Sequence, residues 1–482
     1  MVPQKTKRER VKIYQQMTKG PEKYRKLDLE KIPMEAFRET LPEALPAFIK
    51  EDIAFYFDYL RANRSKQALH NWEKTTGCTD SPNSWKTPNY RPIFSFLYYD
   101  RITDGLFLPL LLNKLEIAAA YGHPFSVEEF NKLCRLSIVG FRPKIDAIDL
   151  KILDALSREP FLVTQALAER IRHSYATVYH HVQHLKAKMG LRITTRVNWK
   201  KLGIQRYFVV TRDEELLKAF DTHSKSLDGK ASFLWGEVFH LHYFLLNDRQ
   251  KQVFFQRYDT LPKADRDNLS IYHLLTTPIS GYNFRTFNLQ DQRWDFDFAL
   301  AFLTLKTKSK MQKSAQQKQK KELKERYSVT TLEAQIIEGL VGNYELTQKE
   351  IAKMLGIHAP NLSIIKTKLQ RDKIIFPQMM VNTFLPLNLV LWCSGKSQQI
   401  TAILIELLQQ MPFANISQVE PHKQTTEDSE LIAFLTIDDI LYSSLITFLM
   451  ELKKEGEIKD FRLGMVVDSY FGMVKPTDLL LE

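Results

Sequence analysis

The sequence predicts an α+β chain in which one architecture occurs twice, behind a mostly helical N-terminal region. Three observations predict it. The 482 residues match themselves without a gap at an offset of 184 positions. The matched positions are almost all apolar and recur at three-and-four spacing, the signature of buried helix faces. Each match is followed by segments that read strand, helix, strand, strand, helix, strand.

Composition sets the outer bounds. The length predicts about three domains at ~100–200 residues each. With 44% apolar and 26% charged residues the chain is globular. Cys78, Cys134 and Cys393 are scattered and form no CxxC pair. Neither a disulfide framework nor a zinc ribbon is expected, and a reducing, cytoplasmic setting is. Seventeen glycines are half the usual ~7% share, which counts against Gly-rich nucleotide loops. The longest apolar stretch, Leu106–Leu112, is broken by Pro109 and too short to span a bilayer, so no membrane partner is expected. The N-terminus lacks the apolar run of a secretory signal.

The net charge of +12 is concentrated. Residues 1–26, a basic tail, hold nine Lys and Arg against two Glu, and residues 306–326 of a basic linker (306–327) hold the same numbers. Residues 142–203 hold twelve against five, and the remainder of the chain is net acidic. This distribution suits a polyanionic partner, with solvated tail and linker as the plain alternative for the first two segments.

Residues 27–141 read as a helical accessory region. Glu43–Glu73 and Ile93–Tyr121 are expected helical, with a loop at Lys74–Pro92. Ser126 and Glu129 have capping-box spacing before Phe130–Leu136. A partner-binding module is the alternative to an accessory domain.

Residues 142–203 hold the first copy. Ile145, Ile152, Leu153, Leu167, Ala168, Val178 and Leu185 fall on Val329, Ile336, Ile337, Ile351, Ala352, Leu362 and Leu369 of the second. These mark three short helices with the spacing of a helix-turn-helix. The third starts at Ser174 and exposes donors suited to phosphates and base edges. A strand pair around Leu191–Val197 would form a wing. The expected double-stranded DNA contacts are Arg172, Ser174, Tyr175, Thr177, His180, His181, His184, Lys186, Arg192 and Arg196. Arg192 and Arg196 would hold phosphates; Tyr175, Thr177, His180 and His181 would lie nearest the bases.

The second copy, 328–387, is nearly neutral, with six cations against five acids. Thr347 and Glu350 make a capping box, and Gly356 stands in the turn where the first copy has Arg172. Its third helix puts Lys366 in the slot of core Val182, so DNA contact there is left open against protein contact.

Behind the copies lie 204–305 and 388–482. In the second, strands are expected at Asn388–Ser394, Phe413–Glu420, Leu431–Ile437 and Ile458–Asp468, with helices at Gln398–Gln410 and Ile440–Lys454. In the first, strands are expected at Arg206–Val210, Ala231–Trp235, His240–Leu246 and Ile271–Thr276, with helices at Glu214–Phe220 and Arg249–Tyr258. The order βαββαβ is the ferredoxin-like layout.

The chain resembles the Lrp/AsnC transcriptional regulators in Ile145–Leu153, in Leu167-Ala168-Glu169-Arg170, in Val178, Val182 and Leu185, and in Asn198–Gly203. The resemblance implies a winged helix-turn-helix feeding a ferredoxin-like domain that pairs and takes a small-molecule effector near a Gly-x-x-Asp turn. Here that turn reads Gly236-Glu237-Val238-Phe239, and the second copy has no glycine in Pro421–Glu430, so amino-acid sensing does not carry over. Self-association of the two ferredoxin-like units within one chain would make a covalent pseudo-dimer with two reading heads.

The expected function is therefore a sequence-specific double-stranded DNA-binding transcriptional regulator, not an enzyme, with no cofactor and no metal. Siroheme decarboxylases, which share the Lrp/AsnC architecture, are one alternative, kept alive by His240, His242 and His273. A protein-interaction scaffold is the other. Ser394-Gly395-Lys396-Ser397 lacks the upstream glycine of a phosphate loop, having Val390 there, and reads as a strand-to-helix turn. His180 with His184, and His240 with His242, find no further ligand cluster in the sequence.

Overall fold

The computed structural model describes residues 33–65, 67–68, 71, 96–97, 99–100, 103, 105–122, 130, 133–134, 137–138, 143–221, 226–275, 279–311, 326–342, 347–383, 385, 387–422, 429–471 and 474–481. The basic tail, the Lys74–Pro92 loop, the Ser126–Glu129 capping box and most of the basic linker lie outside them. Two compact units divide the chain: 1–143 with 187–189, and 144–186 with 190–482.

The first unit contains α1 (Met34–Glu39), α2 (Ala47–Arg61) and α3 (Phe107–Ala120). Helix α2 is shorter than the expected Glu43–Glu73 because Asn63 and Arg64 take left-handed backbone, which a helix cannot continue through. Phe37 stacks on Phe57 at 4.0 Å, and Tyr56 packs among Phe96 and Phe107. Asp100, nearly fully buried, accepts from Tyr56 Oη and from Arg64 Nε, both at 2.8 Å. Two donors on one carboxylate meet the condition for burying a charge.

The second unit opens with α4 (Ala147–Arg158), α5 (Thr164–Ile171) and α6 (Tyr175–Met189), the last three residues of which are counted with the first unit. Ile152, Leu153, Leu156, Leu167, Ala168, Val178, Val182 and Leu185 are all buried, as the spacing requires. Arg172 closes α5 at φ +58, a left-handed conformation costing a non-glycine residue roughly 1 kcal/mol; Gly356, with φ +66, adopts it freely.

Strand β1 (Arg192–Val197) follows, but no hairpin forms there. The chain runs on through the 3-10 turn Trp199–Leu202 into β2 (Gln205–Thr211), α7 (Glu214–Asp221), β3 (Leu227–Trp235), β4 (Glu237–Leu246), α8 (Asp248–Thr260), α9 (Lys263–Asp267) and β5 (Ser270–Leu274). Next come β6 (Ile279–Tyr282), the short pair β7 (Phe287–Asn288) and β8 (Arg293–Trp294), and α10 (Phe298–Met311). Helix α10 crosses the expected boundary at 306: Lys306 pairs with Glu455 and Lys308 with Glu406, so these two linker cations are engaged on the protein.

Three more helices, α11 (Thr331–Gly342), α12 (Gln348–Met354) and α13 (Ala359–Arg371), lead to β9 (Ile375–Met380). The remainder is β10 (Leu387–Gly395), α14 (Gln398–Leu408), β11 (Phe413–Pro421), β12 (Ser429–Ile437), α15 (Ile440–Lys454), β13 (Ile458–Phe471) and α16 (Pro476–Leu480).

The expected wing is corrected by the pairing. Strand β1 pairs antiparallel with β9, Arg192 opposite Met380 and Val197 opposite Ile375. No turn residue follows Val197 to fold a hairpin back, and the backbone finds its partner in the strand after the second three-helix set. The large sheet runs β12-β10-β13-β3-β4-β2-β5-β11-β6, and β11 also pairs with β12. Eight strands therefore close on themselves, with β6 appended to β11. Each set of four has the same order, β3-β4-β2-β5 and β11-β12-β10-β13, and the sets join through β13–β3 and β5–β11.

Strand alternation divides the side chains. Phe208, Phe233, Leu241, Val390, Val419 and Ile432 face one another inside the closed sheet. Tyr207, Val209, Phe244 and Ile271 face out and pack with Leu217 of α7 and Phe254 of α8.

Candidate nucleic-acid interface and interior cavity

Asp146 caps α4 in a reciprocal capping box with Asp149, fixing the first turn of the first three-helix set. Ser174 caps α6, its Oγ accepting from Thr177 N at 3.1 Å and lying 2.8 Å from Thr177 Oγ1. Because Val178, Val182 and Leu185 face inward, the other side of α6 presents Tyr175, Tyr179, His180, Gln183, His184 and Lys186. Tyr175 is 50% exposed and Tyr179 44%, and their rings stack at 6.1 Å. Tyr179 is absent from the expected contacts, although its i+4 spacing from Tyr175 was a readable signal. Arg172 and Ser174 are also exposed, and Thr177 is half-buried.

Two of the expected contacts turn away from this face. His181 is half-buried with Nδ1 2.9 Å from Asp149 Oδ1. Arg196 lies beside Arg206 and Tyr243: burial lowers its guanidinium from the ordinary value and Arg206 adds to that, while Tyr243 opposes it. Arg192, four residues earlier on β1, is exposed.

The second three-helix set differs in its chemistry. Glu333 on α11 is buried and receives Lys368 Nζ from α13 at 2.8 Å. Lys366 is half-buried, which lowers its ammonium from the ordinary range, and Ile364 is 67% exposed.

A cavity of about 1100 Å³ has walls from both strand sets and, outside the sheet, from Asp213, Glu214, Glu215, Asp267 and Asn268. Phe233, Trp235, Phe239, Tyr272 and Trp392 supply aromatic surface. The Arg462 guanidinium stands 4.6 Å from the Trp235 ring centre and 5.1 Å from that of Trp392. Such cation–π contact holds the cation without using its charge on a carboxylate. Trp392 Nε1 donates to the buried Glu430 at 3.0 Å. Burial raises the Tyr272 hydroxyl, and Glu430 raises it further. Arg212, at the rim, stands 3.1 Å from Glu237 and over Phe239.

The three strand histidines do not converge. His240 lines the cavity, with Nδ1 3.1 Å from Ser232 Oγ. His242 is buried further along β4. His273 stacks on Tyr207, pairs with Glu420 at 2.9 Å and lines a separate pocket of about 430 Å³ with Arg206. The siroheme decarboxylase alternative grouped them; in the sheet His240 stands opposite Thr211, and His273 opposite Tyr207 and Glu420. At Ser394–Ser397, Ser397 caps α14 and Lys396 pairs with Glu457, the arrangement of a strand-to-helix turn. A Cβ on Gly395 would meet Thr401 Oγ1, which accounts for the glycine by packing.

Residues 145–188 match the family model described as winged helix-turn-helix DNA-binding. No curated protein matches the chain. Among solved structures, the chain is similar to the siroheme decarboxylase NirDL at 9% identity and a TM-score of 0.43, covering 69% of this chain and 96% of that one. It is similar also to NirDL in co-complex with an iron-uroporphyrin III analogue, at 9% identity and 0.42, covering 68% and 95%. At these values the likeness carries no substrate and no residue role across. Both structures are nonetheless of an enzyme, and the expectation of a chain without catalytic activity is withdrawn. The chain contains a winged helix-turn-helix DNA-binding region within a mixed α and β fold.

Proposed function

We propose that the chain is a sequence-specific double-stranded DNA-binding transcriptional regulator whose α6 enters the major groove. The observation that carries this is the continuous exposed face of α6, within the segment matched as winged helix-turn-helix DNA-binding. In this reading Tyr175, Thr177, Tyr179 and His180 lie nearest the bases. Arg172, Ser174, His184, Lys186 and Arg192 meet phosphates. His181 and Arg196 act from behind, holding α6 and β1 in place.

The identical order of the two four-strand sets supports a duplicated, Lrp/AsnC-like chain with two ferredoxin-like domains. The β1–β9 pair and the closed sheet support an intrachain pseudo-dimer. The cavity is the natural seat of a small-molecule effector. Binding of the full chain to genomic fragments across a salt titration, with bound sequences read out, tests the proposal. A recurrent sequence is expected, with the logarithm of the affinity falling linearly with log salt. Sequence-indifferent binding at every salt would overturn it.

A second reading has one observation in its favour. A cavity of about 1100 Å³ with aromatic walls has room for a large flat ring, which tetrapyrrole decarboxylation would require; Arg212 and Arg462 line it together with Asp213, Glu214, Glu215 and Asp267. Incubation with siroheme should then release carbon dioxide. Siroheme recovered unchanged rejects that reading.

A further inference from the structure

We infer a divalent transition-metal site in the first helix-turn-helix, formed by Asp146, Asp149 and His181, with one coordination position left to solvent. Two carboxylates three residues apart sit on the first turn of α4, and two imidazoles three residues apart sit on α6. The capping box engages one oxygen of each carboxylate. Asp146 Oδ1 accepts from the amides of Ile148 and Asp149, both at 2.8 Å, and Asp149 Oδ2 accepts from the Asp146 amide at 3.3 Å. The other two oxygens meet at one imidazole: His181 Nδ1 is 2.9 Å from Asp149 Oδ1 and 3.7 Å from Asp146 Oδ2. His184 Nδ1 stands 4.0 Å from Asp149 Oδ2. The ligand atoms of Asp146, Asp149 and His181 all lie within 4.8 Å of one another. A tetrahedral ion with bonds of ~2.0–2.2 Å separates its ligand atoms by about 3.3 Å, inside the observed spread.

The second three-helix set supplies an independent argument. At the offset of 184, Asp149 corresponds to Glu333 and His184 to Lys368. There the buried carboxylate faces an ammonium at 2.8 Å, a cation carried by the chain itself. The first set has the neutral-capable imidazole of His184 in that position, places His181 against the carboxylate, and adds a second carboxylate, Asp146, where the other set has Thr330. Two carboxylate oxygens with an imidazole nitrogen suit zinc and its first-row neighbours, and disfavour magnesium and calcium, which prefer all-oxygen sites. Binding would take the place of the contact between His181 Nδ1 and Asp149 Oδ1, and the capping amides act as the outer hydrogen bonds that orient the ligands. The ion would lock α4 to α6 whether or not α6 reads DNA.

The test uses the full chain stripped by a chelator, then dialysed against Zn²⁺, with Co²⁺ absorption as a second readout. One zinc per chain and the visible bands of tetrahedral cobalt are expected. Asp146→Asn retains the N-cap while losing the charge, and His181→Gln removes the imidazole ligand; each should weaken zinc binding at least tenfold without changing helical circular dichroism. No zinc bound at 100 µM free ion, or zinc bound equally by the wild type and both variants, would overturn the site.

Discussion

Lys368 Nζ and Tyr327 Oη both donate to Oε1 of Glu333 at 2.8 Å, so one buried carboxylate joins α13 to α11 and to the residue that precedes them. Burial alone would raise the Glu333 carboxyl. The bonds from Lys368, from the Thr330 amide and from Tyr327 outweigh it and hold the group at about 2, against 4.5 ordinarily. A depressed folded value contributes stability above the unfolded value, and that contribution is lost as pH falls from about 4.5 to about 2. Allowing for solvent around Lys368, Glu333→Gln should cost about 1 kcal/mol at pH 7 and nothing near pH 2. Chemical denaturation across that range checks it; a pH-independent difference would assign the loss to packing instead.

Lys186 and His180 share the exposed face of α6 but should fail differently. Lys186→Ala is expected to weaken binding to all sequences and to lower the salt slope by about one. His180→Ala should alter the preferred sequence and leave the slope unchanged. Equal losses on specific and random DNA for both variants would refute the assignment of roles.

The antiparallel register puts Thr194 opposite Gln378. Cysteines at both positions should oxidise to a disulfide within one chain, detected as a mobility change at unaltered mass on a non-reducing gel. Disulfide-linked dimers would show that the strands pair between chains, and the intrachain pseudo-dimer would fall.

The Arg462 guanidinium between Trp235 and Trp392 offers a cation to any flat carboxylate entering the cavity. Titration with a porphyrin dicarboxylate should quench tryptophan fluorescence, and its dimethyl ester should do so more weakly. Arg462→Met is expected to raise the dissociation constant about tenfold, the size of a single charge-assisted contact. Equal quenching by acid and ester would remove Arg462 from the recognition.

The three-helix sets and the strand order were legible in the sequence because they rest on local periodicity. Val178, Val182 and Leu185 had to share a face of α6, and the segments from Leu387 to Phe471 announced themselves by spacing. Charge and helix spacing in the sequence also pointed to the segment, 145–188, that matches a winged helix-turn-helix DNA-binding model. What the tertiary structure decided depends on residues far apart in the chain. Arg196 turns toward Tyr243 because β1 pairs with β9 instead of folding into a hairpin. Asp149 meets His181 only once α6 has packed on α4, 32 positions away. The cavity exists only because β13 joins β3 and β5 joins β11. Periodicity records which side of an element is buried; it carries no information about which other element buries it, and that choice of partner made every one of these sites.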